Sequence, residues 1–157
     1  MQHRLVAEVF GIQKVALVYG WSMGGQQAYH WGALFPDMVE RICVVCGSAR
    51  TSTNNLVFLD GIKAALTTDS LWQDNWFAKQ PVRGMKAFAR VYAGWVWSPA
   101  FFREEVYKSI GLQTLEDFQV GISEAYWIRR DANYLLAQLW TWQNAESVRT
   151  NCMAVTL

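Results

Sequence analysis

Residues 20–24 read Gly20-Trp21-Ser22-Met23-Gly24, directly behind the apolar run Lys14-Val15-Ala16-Leu17-Val18-Tyr19. The run over 15–19 is short and rich in valine, as a strand covered on both faces would be. From 23 to 35, Ala28, Trp31, Leu34 and Phe35 recur at helical spacing until Pro36 ends the pattern. Ser22 therefore sits where a strand hands over to a helix. A serine in a Gly-x-Ser-x-Gly turn of that kind stands on a sharp corner with its hydroxyl held clear of the backbone. Gly20 and Gly24 read as positions where a side chain would collide with the neighbouring strand or helix, and Gly25 as room for close helix–sheet approach. The helix start below Ser22 offers unpaired N–H groups and a partial positive charge. That places the backbone amide of Met23 to stabilise an oxyanion. Ser22 is the candidate nucleophile and Met23 the candidate oxyanion-hole residue.

A second apolar run over 42–46 follows the helix, so the first fifty residues predict a parallel βαβ unit with a right-handed crossover. The N-terminal stretch reads as an amphipathic helix, with Leu5, Val6, Val9 and Phe10 on one side and Gly11 as its stop. From about residue 54 the strand signal disappears. Helical stretches are predicted over 55–67, 84–97, 99–110, 114–127 and 131–143. Thr114-Leu115-Glu116-Asp117 has capping-box spacing, with Asp in place of the usual Glu or Gln. Asp131 reads as an N-cap or first-turn residue. The organisation expected is a core over 1–53, a helical lid over 54–146 and an atypical tail over 147–157.

Composition bounds the partners. The chain has 157 residues, 52% apolar and 17% charged, with a net charge of +1. That is one globular domain without a general attraction to nucleic acid or to an anionic membrane. No run approaches the roughly 20 apolar residues of a membrane span, and the N-terminus lacks the apolar core of a signal peptide. The three cysteines are Cys43, Cys46 and Cys152. An odd count with no redox or metal spacing reads as core thiols in a reducing cytoplasm.

The stretches Gly20-Trp21-Ser22-Met23-Gly24-Gly25-Gln26-Gln27-Ala28, Phe35-Pro36-Asp37-Met38-Val39-Glu40-Arg41 and Gly47-Ser48-Ala49-Arg50-Thr51-Ser52 together resemble the homoserine O-acetyltransferase branch of the α/β-hydrolase superfamily. Residues 130–143 are similar to a lid-helix segment of that branch. The resemblance spans residues 2 to 146 and implies an α/β class: a partial α/β-hydrolase fold, a short parallel βαβ core followed by a helical lid. It implies an acyl-enzyme on Ser22, assisted by the Met23 amide. Small-molecule acyl donors and acceptors are then the partners, with acetyl-CoA as a possible co-substrate and no bound cofactor or metal. Transfer and hydrolysis stay open. Arg90 falls near the family arginine that lines the substrate tunnel and can pair with a substrate carboxylate. From the residues alone, Arg90 reads equally well as a solvated helix residue.

The activating partners of Ser22 are missing. His30 lies eight residues further along the same helix, about 12 Å at 1.5 Å per residue, whereas a general base must come within roughly 3 Å. His3 precedes the serine, while the superfamily order is serine, acid, histidine. The resemblance implies further strands on both sides, so truncation at both ends is the expectation. Made alone, the chain should then expose apolar surface, associate or aggregate, and be essentially inactive, since loss of the base costs on the order of a million-fold. The alternative is a non-catalytic small protein whose Trp-rich helices bind a partner or an apolar ligand. Its motive is the nine tryptophans, and ordinary packing of lid on sheet accounts for them as well.

Overall fold

The computed structural model describes residues 2–146. The described residues divide into two compact units, one formed by 2–52 with 142–146 and the other by 53–141.

In the first unit a short α1 (Gln2–Arg4) runs on as a π-helical turn over Leu5–Val9, and Gly11 at φ 66° turns the chain away. Strand β1 (Val18–Trp21), helix α2 (Met23–Leu34) and strand β2 (Ile42–Val45) follow. The strands pair in parallel with Val18 opposite Ile42 and Trp21 opposite Val45. This is the βαβ unit the sequence predicts. The first strand starts three residues later than its apolar run, because 15–17 contributes only an isolated bridge between Val15 and Val39. Helix α2 covers one face, where Gly25 and Gly32 approach Val44 and Ile42. On the other face Tyr19, Trp21, Cys43 and Val45 are exposed.

Cys43 and Cys46 are therefore not core thiols; both are exposed. Cys43 lies on the uncovered face, and Cys46 stands past the strand end with a left-handed φ of 51°. Cys152 and the tail over 147–157 lie outside the described residues.

The second unit holds α3 (Thr53–Thr67), β3 (Trp72–Gln73), β4 (Trp76–Phe77), α4 (Val82–Val96) and α5 (Pro99–Arg103). It continues with a 3-10 turn at Val106–Ile110, α6 (Leu115–Phe118), a π-helical turn at Gln119–Glu124 and α7 (Ala125–Trp127). Helix α8 (Ala132–Gln143) closes the series and crosses the division at its last turn. Its core packs Leu59, Ile62 and Leu66 of α3, and Met85, Phe88 and Ala89 of α4, all fully buried. Phe88 stacks with Tyr92 and meets Trp127 edge-on, and Trp97 stacks on Phe101 and meets Phe118.

The strand signal does not vanish after 54: β3 and β4 form a minimal antiparallel hairpin. Its two turn residues, Asp74 and Asn75, have φ of 50° and 59°, the mirror-image turn that hairpins favour and that Asp and Asn tolerate. The stretch over 99–110 is interrupted at Glu105, whose φ is 50°. The Thr114–Asp117 capping box forms with both reciprocal bonds, and Asp131 accepts from the Tyr134 amide as the N-cap of α8.

Candidate active site

Ser22 sits between the last residue of β1 and the first of α2, with φ 54° and ψ −122°. Such a conformation costs an L residue on the order of 1–3 kcal/mol and persists only where surroundings over-determine it. They do so here. The Ser22 amide donates to Val45 O across the sheet at 2.9 Å, and the Ser22 carbonyl accepts from the Gly25 amide at 2.9 Å. A Cβ on Gly20 would lie 2.0 Å from Gly24 O, and one on Gly25 would lie 2.8 Å from Val44 Cγ1. Gly20 is thus a glycine because the Gly24 backbone passes where a side chain would be, and Gly25 because the Val44 side chain and the Gly47 backbone crowd the same space. Gly24 is not: a Cβ there meets nothing within 4 Å, so the collision expected at that position is absent. Gly47 has the close approach instead, where a Cβ would stand 3.0 Å from both Gly25 Cα and Ser22 O. A glycine immediately after an apolar strand was the available signal.

The Ser22 side chain is half-buried and caps no helix amide. Met23 opens α2, so its N–H has no intrahelical acceptor and points with the positive end of the helix. Among the described residues the Ser22 hydroxyl makes no cap bond and Met23 is the first residue of the helix that follows it, the kind of placement in which a hydroxyl and a helix amide can act on one carbonyl group.

Among the described residues no hydrogen bond joins Ser22 to either histidine. His3 stacks on Phe35 with ring centroids 3.8 Å apart. His30 lies in the third turn of α2, its Nδ1 buried without a partner among the described residues.

A sequence profile of the alpha/beta hydrolase fold matches residues 3–145. The chain belongs to the alpha/beta hydrolase fold family. It is 35% identical over 150 residues to the ethyl acetate hydrolase of Pseudomonas veronii, a match covering 94% of this chain and 43% of that protein. It is 37% identical over 92 residues to a homoserine O-acetyltransferase of Chlorobaculum parvum, covering 57% of this chain and 26% of the other. The structure superposes on the monoclinic crystal form of the acetyl esterase MekB with a TM-score of 0.89 at 35% identity, over 94% of this chain and 44% of that one. This alpha/beta hydrolase chain is thus related both to esterases and to homoserine acyltransferases, and it spans less than half the length of the curated relatives it matches.

Arg90 belongs to α4 in the second unit, and its guanidinium is already engaged. Nε donates to Glu124 Oε1 at 2.6 Å, and the two terminal nitrogens grip Glu116 at 2.9 and 2.5 Å. Lys86 adds a second cation to Glu124 at 3.0 Å. The Glu116 hydrogen bonds, then those to Glu124, raise the Arg90 pKa further above its ordinary value. Burial alone would push the Glu124 carboxyl up; the bonds from Arg90 and Lys86 outweigh it and hold it below the usual range. These carboxylates stand 26 and 34 residues along the chain from Arg90, so no local spacing announces them.

Proposed function

We propose that this chain carries the nucleophile and one oxyanion-hole donor of a serine acyl-transfer centre, with hydrolysis of small neutral acetyl esters as its reaction. The observation that carries this reading is the left-handed Ser22 at the strand-to-helix corner, directly before the first amide of α2. In the first step the Ser22 Oγ forms a bond to the ester carbonyl carbon. The carbonyl π pair moves to oxygen, the Met23 N–H donates a hydrogen bond to that oxyanion, and collapse breaks the ester C–O bond, the departing alkoxide taking up the proton that Ser22 lost, to leave an alcohol and an acetyl-serine. Water then releases acetate by the reverse sequence. The proton leaving Ser22 needs a base that neither His3 nor His30 provides, so the chain by itself should acylate slowly and turn over negligibly.

Hydrolysis is favoured over transfer to an amino-acid hydroxyl for a reason within the lid. A carboxylate-bearing acceptor needs a free cation. The guanidinium that the family resemblance assigns to that task is neutralised by Glu116 and Glu124. The names of two relatives matched over 94% of this chain, an ethyl acetate hydrolase and an acetyl esterase, point the same way.

The test replaces the weak nucleophile with one that needs no base. In a background lacking the three native thiols, Ser22→Cys should form a thioester with p-nitrophenyl acetate about tenfold faster than a free cysteine peptide, because a helix N-terminus lowers a thiol pKa. A rate equal to the peptide's would end the reading. Adding homoserine should leave release of the acetyl group unchanged; acceleration would move the reaction to transfer.

A further inference from the structure

One buried polar chain in the first unit is left unexplained by the chemistry at Ser22. Gln26 is four residues beyond the nucleophile, in the first full turn of α2, and only 3% exposed. Its Nε2 donates to Thr51 Oγ1 at 2.8 Å. Thr51, 5% exposed, donates in turn to the carbonyl of Trp142 at 2.6 Å. The Gln26 amide shares the Ser22 carbonyl with that of Gly25, at 3.4 Å against 2.9 Å. A continuous run of hydrogen bonds thus leads from the nucleophile's own peptide, through one helical turn, to the loop after β2 and to the chain returning at 142.

Packing does not account for a glutamine here. Its Oε1 is buried with no partner among the described residues, so the side chain bears a desolvation penalty that only half its polar atoms offset. An apolar side chain of the same length would fill the same space without that penalty. What an apolar chain could not do is fix the helix's rotation and height against the neighbouring loop, since dispersion contacts are non-directional and hydrogen bonds are not. Ser22 needs such a device. It holds a backbone conformation away from the broad minima, and its amide and carbonyl are held by different elements, β2 and α2. If α2 slid or turned, the two grips would pull apart.

We infer that Gln26 and Thr51 are positioning residues for Ser22: their hydrogen bonds to one another and to the Trp142 carbonyl lock the first turn of α2 in the one orientation that sustains the corner. The consequence for acyl chemistry rests on the reading of Ser22 as the nucleophile, but the positioning itself does not.

Amide hydrogen exchange on the full chain separates the two. Gln26→Met and Thr51→Val remove the hydrogen bonds with little change in volume. Each should raise exchange of the Ser22, Gly25 and Gln26 amides by about tenfold, the worth of one lost hydrogen bond, while amides of Trp31 to Leu34 later in α2 keep their rates. Thr51→Ser retains the hydroxyl and should restore the native rates at the corner. Should Gln26→Met fail to fold, Gln26→Asn, too short to reach Thr51, gives the same comparison. In the Ser22→Cys protein, Thr51→Val should slow acylation and Thr51→Ser should not. A uniform rise along α2, no rise at all, or failure of Thr51→Ser to restore the corner would each overturn the inference. A loss of acylation in every protein, with the exchange pattern intact, would count against the nucleophile and leave the positioning standing.

Discussion

Gly20 and Gly24 flank the same serine and look equivalent in the sequence, yet they differ in what surrounds them. A methyl group on Gly20 would press on the Gly24 carbonyl, a backbone atom that cannot swing aside, whereas one on Gly24 meets open space. Gly20→Ala should therefore cost on the order of 4 kcal/mol, in the range reserved for broken backbone geometry. Gly24→Ala should be neutral or slightly stabilising, since alanine is the better helix former. Urea unfolding of the two variants beside the parent makes the comparison. The corner was legible because its chemistry is local: strand, turn and helix residues lie within twenty positions, and each requirement falls on one residue. The Gln26–Thr51 bond and the carboxylates on Arg90 were not, because their partners are distant in sequence and their residue types are common on any helix.

Among the elements, the βαβ unit and the long helices were readable from periodicity, while short and irregular pieces were not. Two-residue strands leave no alternation to detect, and the β3–β4 hairpin shows itself only in the pair Asp74-Asn75. The π-helical turn at Gln119–Glu124 has no sequence pattern either, yet Ser123 and Glu124 within it are buried. Glu124 ties this turn to α4 through Lys86 and Arg90. Because its carboxyl titrates below the ordinary 4.5 when folded, its ion pairs stabilise the fold fully above that value and are lost as pH falls through the lower, folded one. Thermal melts from pH 6 down to pH 3 should show Tm falling in the parent. The Glu124→Gln variant should start lower at pH 6, because Lys86 and Arg90 lose their shared partner, and should fall less steeply with acid. Parallel curves would deny Glu124 this part.

At the scale of the whole molecule, the uncovered face of the β1–β2 sheet sets behaviour in solution. Tyr19 and Trp21 are 63% and 64% exposed, beside Cys43 and Val45 on the same face, and no helix among the described residues is long and apolar enough to cross a membrane. Apolar surface of this kind beside unpaired strand edges drives self-association. Light scattering at tens of micromolar should report a mass above the 18.0 kDa of one chain, and Tyr19→Lys with Trp21→Lys should bring it down. A parent that stays monomeric would show that the face is harmless as it stands.

The division of the chain into units carries a temporal consequence for synthesis. The helical unit is one uninterrupted segment, whereas the unit bearing Ser22 is assembled from two pieces with that segment inserted between them. Thr51 meets the Trp142 carbonyl 91 positions further along the chain, a late-closing contact by any loop-entropy measure. On the ribosome most of the insert emerges and can begin to consolidate while the Ser22 corner waits, and that corner acquires its Thr51–Trp142 brace only when residue 142 has emerged.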